Sequence, residues 1–93
     1  MIDAVKFRDV VKTKDALGKE HAAKVLHLDV TRTEAHAVCI FAVDNEWFCY
    51  DMMRGTYSMG KFDKQPTLKQ IITSMQANSE EGVLVSKPEW AIQ

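Results

Sequence analysis

Apolar residues recur along this chain at two different spacings, and each spacing predicts a different element. Across IDAVKFRDVVKTKDALGKE, Phe7, Val10, Val11 and Leu17 follow a helical period, although Val5, Phe7 and Val11 would also suit an interrupted strand. A helix is favoured, with Gly18 near its end. The next stretch, AAKVLHLDVTRT, alternates cleanly. Leu26, Leu28 and Val30 point one way, while Val25, His27, Asp29 and Thr31 point the other, which predicts a half-buried strand. Residues 35–43 and 47–51 predict two more strands joined at Asp44, Asn45 and Glu46, a polar turn with hairpin chemistry. A short strand, TYSM, follows Gly55 and ends at Gly60. In PTLKQIITSMQANSE, Leu68, Ile71, Ile72 and Met75 form one apolar stripe of a helix. Pro66 suits its first turn, Thr67 suits its cap if it starts one residue later, and Asn78 can close it. Val83 to Val85 predict a last strand, with Trp90 in the tail folded back over the core.

The predicted order is helix, four antiparallel strands, helix, strand. Segregated elements of this kind give an α+β fold, with a sheet of four to five strands and one helix near the C-terminus. At 93 residues, 1–93 is a single domain, long enough for one core and too short for two. Apolar residues at 46% and charged ones at 27% agree with a packed interior.

Charge removes several functions from consideration. Twelve basic and thirteen acidic residues give a net charge of −1, with no block of either sign. A basic stripe for nucleic acid is absent. No apolar run approaches the length of a membrane span, and charges enter MIDAVKFRDVVK from the third residue, so no signal peptide is expected. The expected setting is the cytoplasm, with Cys39 and Cys49 as free thiols.

The stretch AHAVCIFAVDNEWFCYD carries the candidate chemistry. If its turn is the two residues Asp44 and Asn45, Asp51 faces Val38 and His36 lies one diagonal step away on the same face, roughly 7–8 Å between backbones. A carboxylate there could orient the imidazole as the third member of a catalytic triad does. A three-residue loop with a bulge would separate the pair onto opposite faces. The plainer reading is a partly buried strand histidine and an aspartate that opens a turn.

From residue 20 to about 62, the pattern HAVCIFAVDNEWFCYD followed by MMRGTYSMGKF resembles the His-strand, turn, Asp-strand half of the papain-like and transglutaminase-like cysteine hydrolases. The resemblance implies His36 as general base and Asp51 as its orienting partner. It also implies a nucleophilic cysteine at the start of a preceding helix, where the helix dipole lowers the thiol pKa. No cysteine precedes Cys39 or follows Cys49, so one copy of the chain cannot assemble that triad. Parity puts Cys49 on the face of Asp51 and His36 and turns Cys39 away, which argues against a disulfide. Cys49 is thus the one in-chain substitute nucleophile, although strand cysteines are usually small apolar side chains.

Two other chemistries are open. His36, Cys49, Asp51 and, given a suitable register, His27 form a mixed zinc-type ligand set. No CxxC or HxxxH spacing supports it and His21 sits apart, so no metal or cofactor is expected. Trp47 and Tyr50 point to opposite faces of their strand, followed by Met52, Met53, Arg54, Tyr57 and Met59. These residue types are enriched at protein interfaces, unless the helices cover them. The expectation is a domain without hydrolytic activity that binds another protein through the surface from Trp47 to Met59, with a homodimer compatible. Its size suits a phage or mobile-element inhibitor of a host protein. The rivals are a thiol hydrolase or transferase, using Cys49 or a partner's cysteine with His36, and a zinc module.

Overall fold

The computed structural model describes residues 3–12, 22–31, 34–80 and 82–91. Leu17, Gly18 and His21 lie outside this set. The elements are α1 (Ala4–Lys12), β1 (Ala23–Val30), β2 (Glu34–Val43), β3 (Glu46–Asp51), β4 (Gly55–Lys61), α2 (Leu68–Ala77) and β5 (Val85–Trp90). The five strands form one antiparallel sheet in the order β4-β3-β2-β1-β5. This is the α+β arrangement that the residue pattern predicts.

The β2–β3 turn sets the register of everything around it. Asp44 and Asn45 both take positive φ, 49° and 68°. Two successive left-handed residues make the tight turn whose twist matches that of paired strands, and Asp and Asn tolerate that conformation best after glycine. Val43 therefore faces Glu46, and the ladder runs through Ala42–Trp47, Phe41–Phe48 and Ile40–Cys49 to Cys39–Tyr50. The loop has two residues, so the bulged alternative does not occur there.

Each face of the sheet carries one helix. Leu26, Leu28, Val30, Val38, Ile40, Trp47 and Cys49 point to the side where Ile71 and Met75 of α2 are buried. Fully burying a side chain such as Leu26 or Ile71 is worth about 1.5–3 kcal/mol. The α2 stripe is held in place by a capping box. The Thr67 hydroxyl accepts from the Gln70 amide at 3.2 Å while the Gln70 side chain accepts from the Thr67 amide at 2.8 Å. Ala4 and Phe7 of α1 cover the other face, over Ala23, Val25, Cys39 and Phe41. There the Phe7 ring stacks on Tyr50 at 3.9 Å, and Phe41 stacks on Phe48 at 5.2 Å. The first half of β1 is consequently buried on both faces, because Ala23 and Val25 lie under α1, while its second half, with His27 exposed, is half-buried as expected.

The last strand departs from expectation. β5 starts at Val85, where a strand at 83–85 was expected to end, and it includes Trp90, which pairs with Leu26. Leu84 is 57% exposed. β5 can run through Pro88 because it is an edge strand, where a missing amide on the outer side breaks no ladder. A register shift between His27 and Asp29 accommodates it. Gln76 fixes the start of β5, donating to the Val83 carbonyl and accepting from the Val85 amide at 3.1 Å. Among the described residues, no helix is long and apolar enough to cross a membrane.

Candidate functional site

His36 and Asp51 meet. The imidazole Nε2 lies 2.9 Å from Asp51 Oδ1, across neighbouring strands on the α2 face. A carboxylate can only accept, so the imidazole presents Nε2–H to it. Asp51 is wholly buried and its side chain takes three bonds. Besides His36, the Met53 amide donates to Oδ1 at 2.8 Å and Arg54 Nη1 donates to Oδ2 at 3.0 Å. Asp51 is therefore both the partner of a histidine and the opener of the β3–β4 turn, in which its carbonyl accepts from the Arg54 amide at 3.1 Å.

The electrostatics follow from this geometry. Burial alone would raise the Asp51 pKa. The bonds from His36, the Met53 amide and Arg54 outweigh it and lower the carboxyl from 3.8 to about 2. Asp51 is thus a firmly ionised anion inside the sheet, and two side chains from different elements are held by it.

Beside the pair is a small pocket of about 210 Å³, lined by Val30, Glu34, His36, Met53 and Arg54. None of these residues offers a thiol or hydroxyl, so among the described residues the imidazole has no nucleophile in that pocket to activate.

Cys49 shares the face, as parity predicts, but does not act as a neighbour for the imidazole. It is wholly buried within the α2-side core. Its hydrogen-bond partner is Tyr57, directly opposite on β4. Burial pushes the Cys49 thiol up from 9.0 to about 12, the Tyr57 bond only partly offsetting it, and burial also pushes the Tyr57 phenol up. A thiol in that state is protonated and has no route to solvent. Cys39 is buried on the α1 side, and neither cysteine is in a disulfide.

The mixed ligand set is not brought together either. His27 pairs with Ala37 and points to the α1 side, opposite to His36, since strand neighbours alternate. Among the described residues, no three His, Cys, Asp or Glu side chains gather closely enough to hold a metal ion.

The aromatic and methionine stretch is divided between interior and surface. Trp47 is buried in the α2-side core, with its indole N–H donating to the Phe62 carbonyl at 3.3 Å. Tyr50 lies against α1, and Tyr57 and Met59 pack on the α2-side core. Met52 is half-buried, Arg54 is tied to Asp51, and Met53 is 71% exposed. The open part of the expected surface is therefore the β3–β4 turn. Arg54 is the one member of the site that spacing does not single out as a partner of Asp51, and the signal was its position three residues on, across a tight turn.

The chain matches no protein-family model, no curated protein and no solved structure.

Proposed function

We propose that this domain is a non-catalytic protein-binding module, on a scaffold that resembles a reduced papain-like or transglutaminase-like core. The observation that carries the reading is the environment of the His36–Asp51 pair. The imidazole is held as a catalytic base would be, yet both thiols are buried and the adjoining pocket offers no nucleophile among the described residues. The third bond to Asp51, from Arg54, makes the cluster a clamp that fixes the β3–β4 turn. That turn then presents Met53, a large flexible apolar side chain that water disfavours and that adapts readily to a partner surface. What supports the scaffold resemblance is that adjacent antiparallel strands carry the histidine and the aspartate in the expected order.

The test is capture of partners by tagged protein from its own cells, beside Met53→Glu. The exposed charge leaves the fold intact, so equal thermal stability with loss of a stoichiometric partner supports the reading. Undiminished capture by Met53→Glu removes the proposed surface.

A second reading is favoured by the 2.9 Å His36–Asp51 bond itself. The pair would be the base half of a thiol hydrolase or transferase whose cysteine comes from a bound protein. It predicts that the partner carries a cysteine whose alkylation accelerates in the complex, and that His36→Gln abolishes the acceleration.

A further inference from the structure

The two edges of the sheet are unlike. β5 is spoiled as a template for further pairing by Pro88, which lacks an amide hydrogen, and by Lys87 at φ 51°. β4 has no proline, and its positive-φ residues, Gly55 at 87° and Gly60 at 111°, flank the stretch Thr56–Met59. It pairs regularly with β3 from Gly55 to Ser58, and the irregularity falls beyond that, before Gly60. Positions 55–59, Gly-Thr-Tyr-Ser-Met, carry no charge. The close approaches of the helices to the sheet are to β1, β2 and β3 for α1 and to β5 for α2, so β4 lies at the margin of both helical layers. An edge of regular, neutral strand presents a row of unpaired amides and carbonyls, which is what a further strand requires.

We propose that the outer edge of β4 pairs antiparallel with β4 of a second copy of this chain, across a two-fold axis at Tyr57, joining the two five-stranded sheets into one. This inference goes beyond the partner-binding reading and does not depend on it. A two-fold axis normal to the sheet keeps each face continuous, so facing residues must point to the same side and share parity. Centring on Tyr57 uses the regular part of the strand most fully. Thr56 then faces Ser58 of the other copy on the α1 side, where its hydroxyl can donate to a Ser58 Oγ that itself donates to Glu46 at 2.6 Å, while each Tyr57 ring stays turned toward Cys49 of its own chain. The nearest cations, Arg54 and Lys61, fall opposite Gly60 and Met53 of the other copy, so no like charges oppose each other. A charge-free, self-matching strand fits a copy of itself better than it fits a charged partner.

Thr56 and Ser58 are exposed, whereas the native thiols are buried, so cysteines introduced at these sites report the pairing alone. Thr56→Cys and Ser58→Cys are oxidised mildly, each alone and mixed in equal amounts, after circular dichroism shows the native fold in each. The register puts residue 56 of one copy within disulfide reach of residue 58 of the other, while 56 to 56 and 58 to 58 are diagonal and about 7–8 Å apart, beyond it. The mixture is expected to give at least about fivefold more cross-linked dimer than either variant alone. Sedimentation of the unmodified protein is expected to show dimer growing over about 10–500 µM, as suits a small interface. Equal cross-linking in the single-variant samples would overturn the register, and no cross-linking, or a monomer across that range, would overturn the proposal.

Discussion

Replacing Asp51 with Asn probes the clamp through its pH dependence. The substitution keeps the shape of the side chain and removes its charge. The folded-state pKa of Asp51 is depressed from 3.8 to about 2, nearly two units. At 1.36 kcal/mol per unit this linkage contributes about 2.5 kcal/mol to stability. A depressed carboxyl contributes fully above its unfolded pKa and loses that contribution as pH falls through the folded one, so the window runs from about pH 5 to about pH 2. Urea unfolding followed by the fluorescence of Trp47 and Trp90 measures it. At pH 7 the variant is expected to be about 2–3 kcal/mol less stable, a fall in midpoint of about 1–2 M. The difference between wild type and variant should shrink steadily below pH 5, because other carboxylates titrate alike in both proteins and cancel. A difference that stays constant to pH 2.5, or widens, would refute the account of Asp51 as an anion held by His36, Met53 and Arg54.

The remaining predictions concern the supports of the site. Iodoacetamide at pH 8 should label Cys39 and Cys49 at least about a hundredfold more slowly in the native protein than in urea, since reaction requires opening of the core; fast labelling of Cys49 would contradict its burial. Asn45→Ala should cost about 1 kcal/mol, because alanine lacks the short polar side chain that eases asparagine into positive φ, and Asn45→Gly should be neutral or stabilising, both read from thermal midpoints. Ile71→Ala should cost about 2–5 kcal/mol by opening a cavity between α2 and the sheet, measured by urea unfolding. Thr67→Ala, which removes the α2 cap, should cost only about 1 kcal/mol.

Much of this structure is legible in the residue pattern, and its illegible parts have physical causes. The two-residue period of β2 and β3, with a turn of Asp and Asn, determines that His36 and Asp51 share a face, and the structure places them in contact. The α2 stripe and its Thr67 cap are equally local signals. The course of β5 was hidden because Pro88 argues against a strand unless the strand is known to be an edge. The side-chain bonds from Gln76 that start β5 depend on how α2 lies on the sheet, which no local pattern reports. Trp47 and Tyr50 point to opposite faces, so one ring was expected to be exposed if one face of the sheet met water. Both are covered because each face has its own helix, and Phe7 of α1 stacks on Tyr50. Arg54 was read as part of the interface surface, and it stays exposed there while its guanidinium is paired with Asp51.

On the proposed reading, the His36–Asp51–Arg54 cluster serves the shape of a binding surface and not a reaction. The most direct measurement is quantitative partner capture by wild type, Met53→Glu and His36→Gln, each verified as folded at the temperature of the assay. The account predicts that His36→Gln retains the partner at near wild-type stoichiometry while Met53→Glu loses it. Loss with His36→Gln and retention with Met53→Glu would contradict the account and mark the imidazole as the working group.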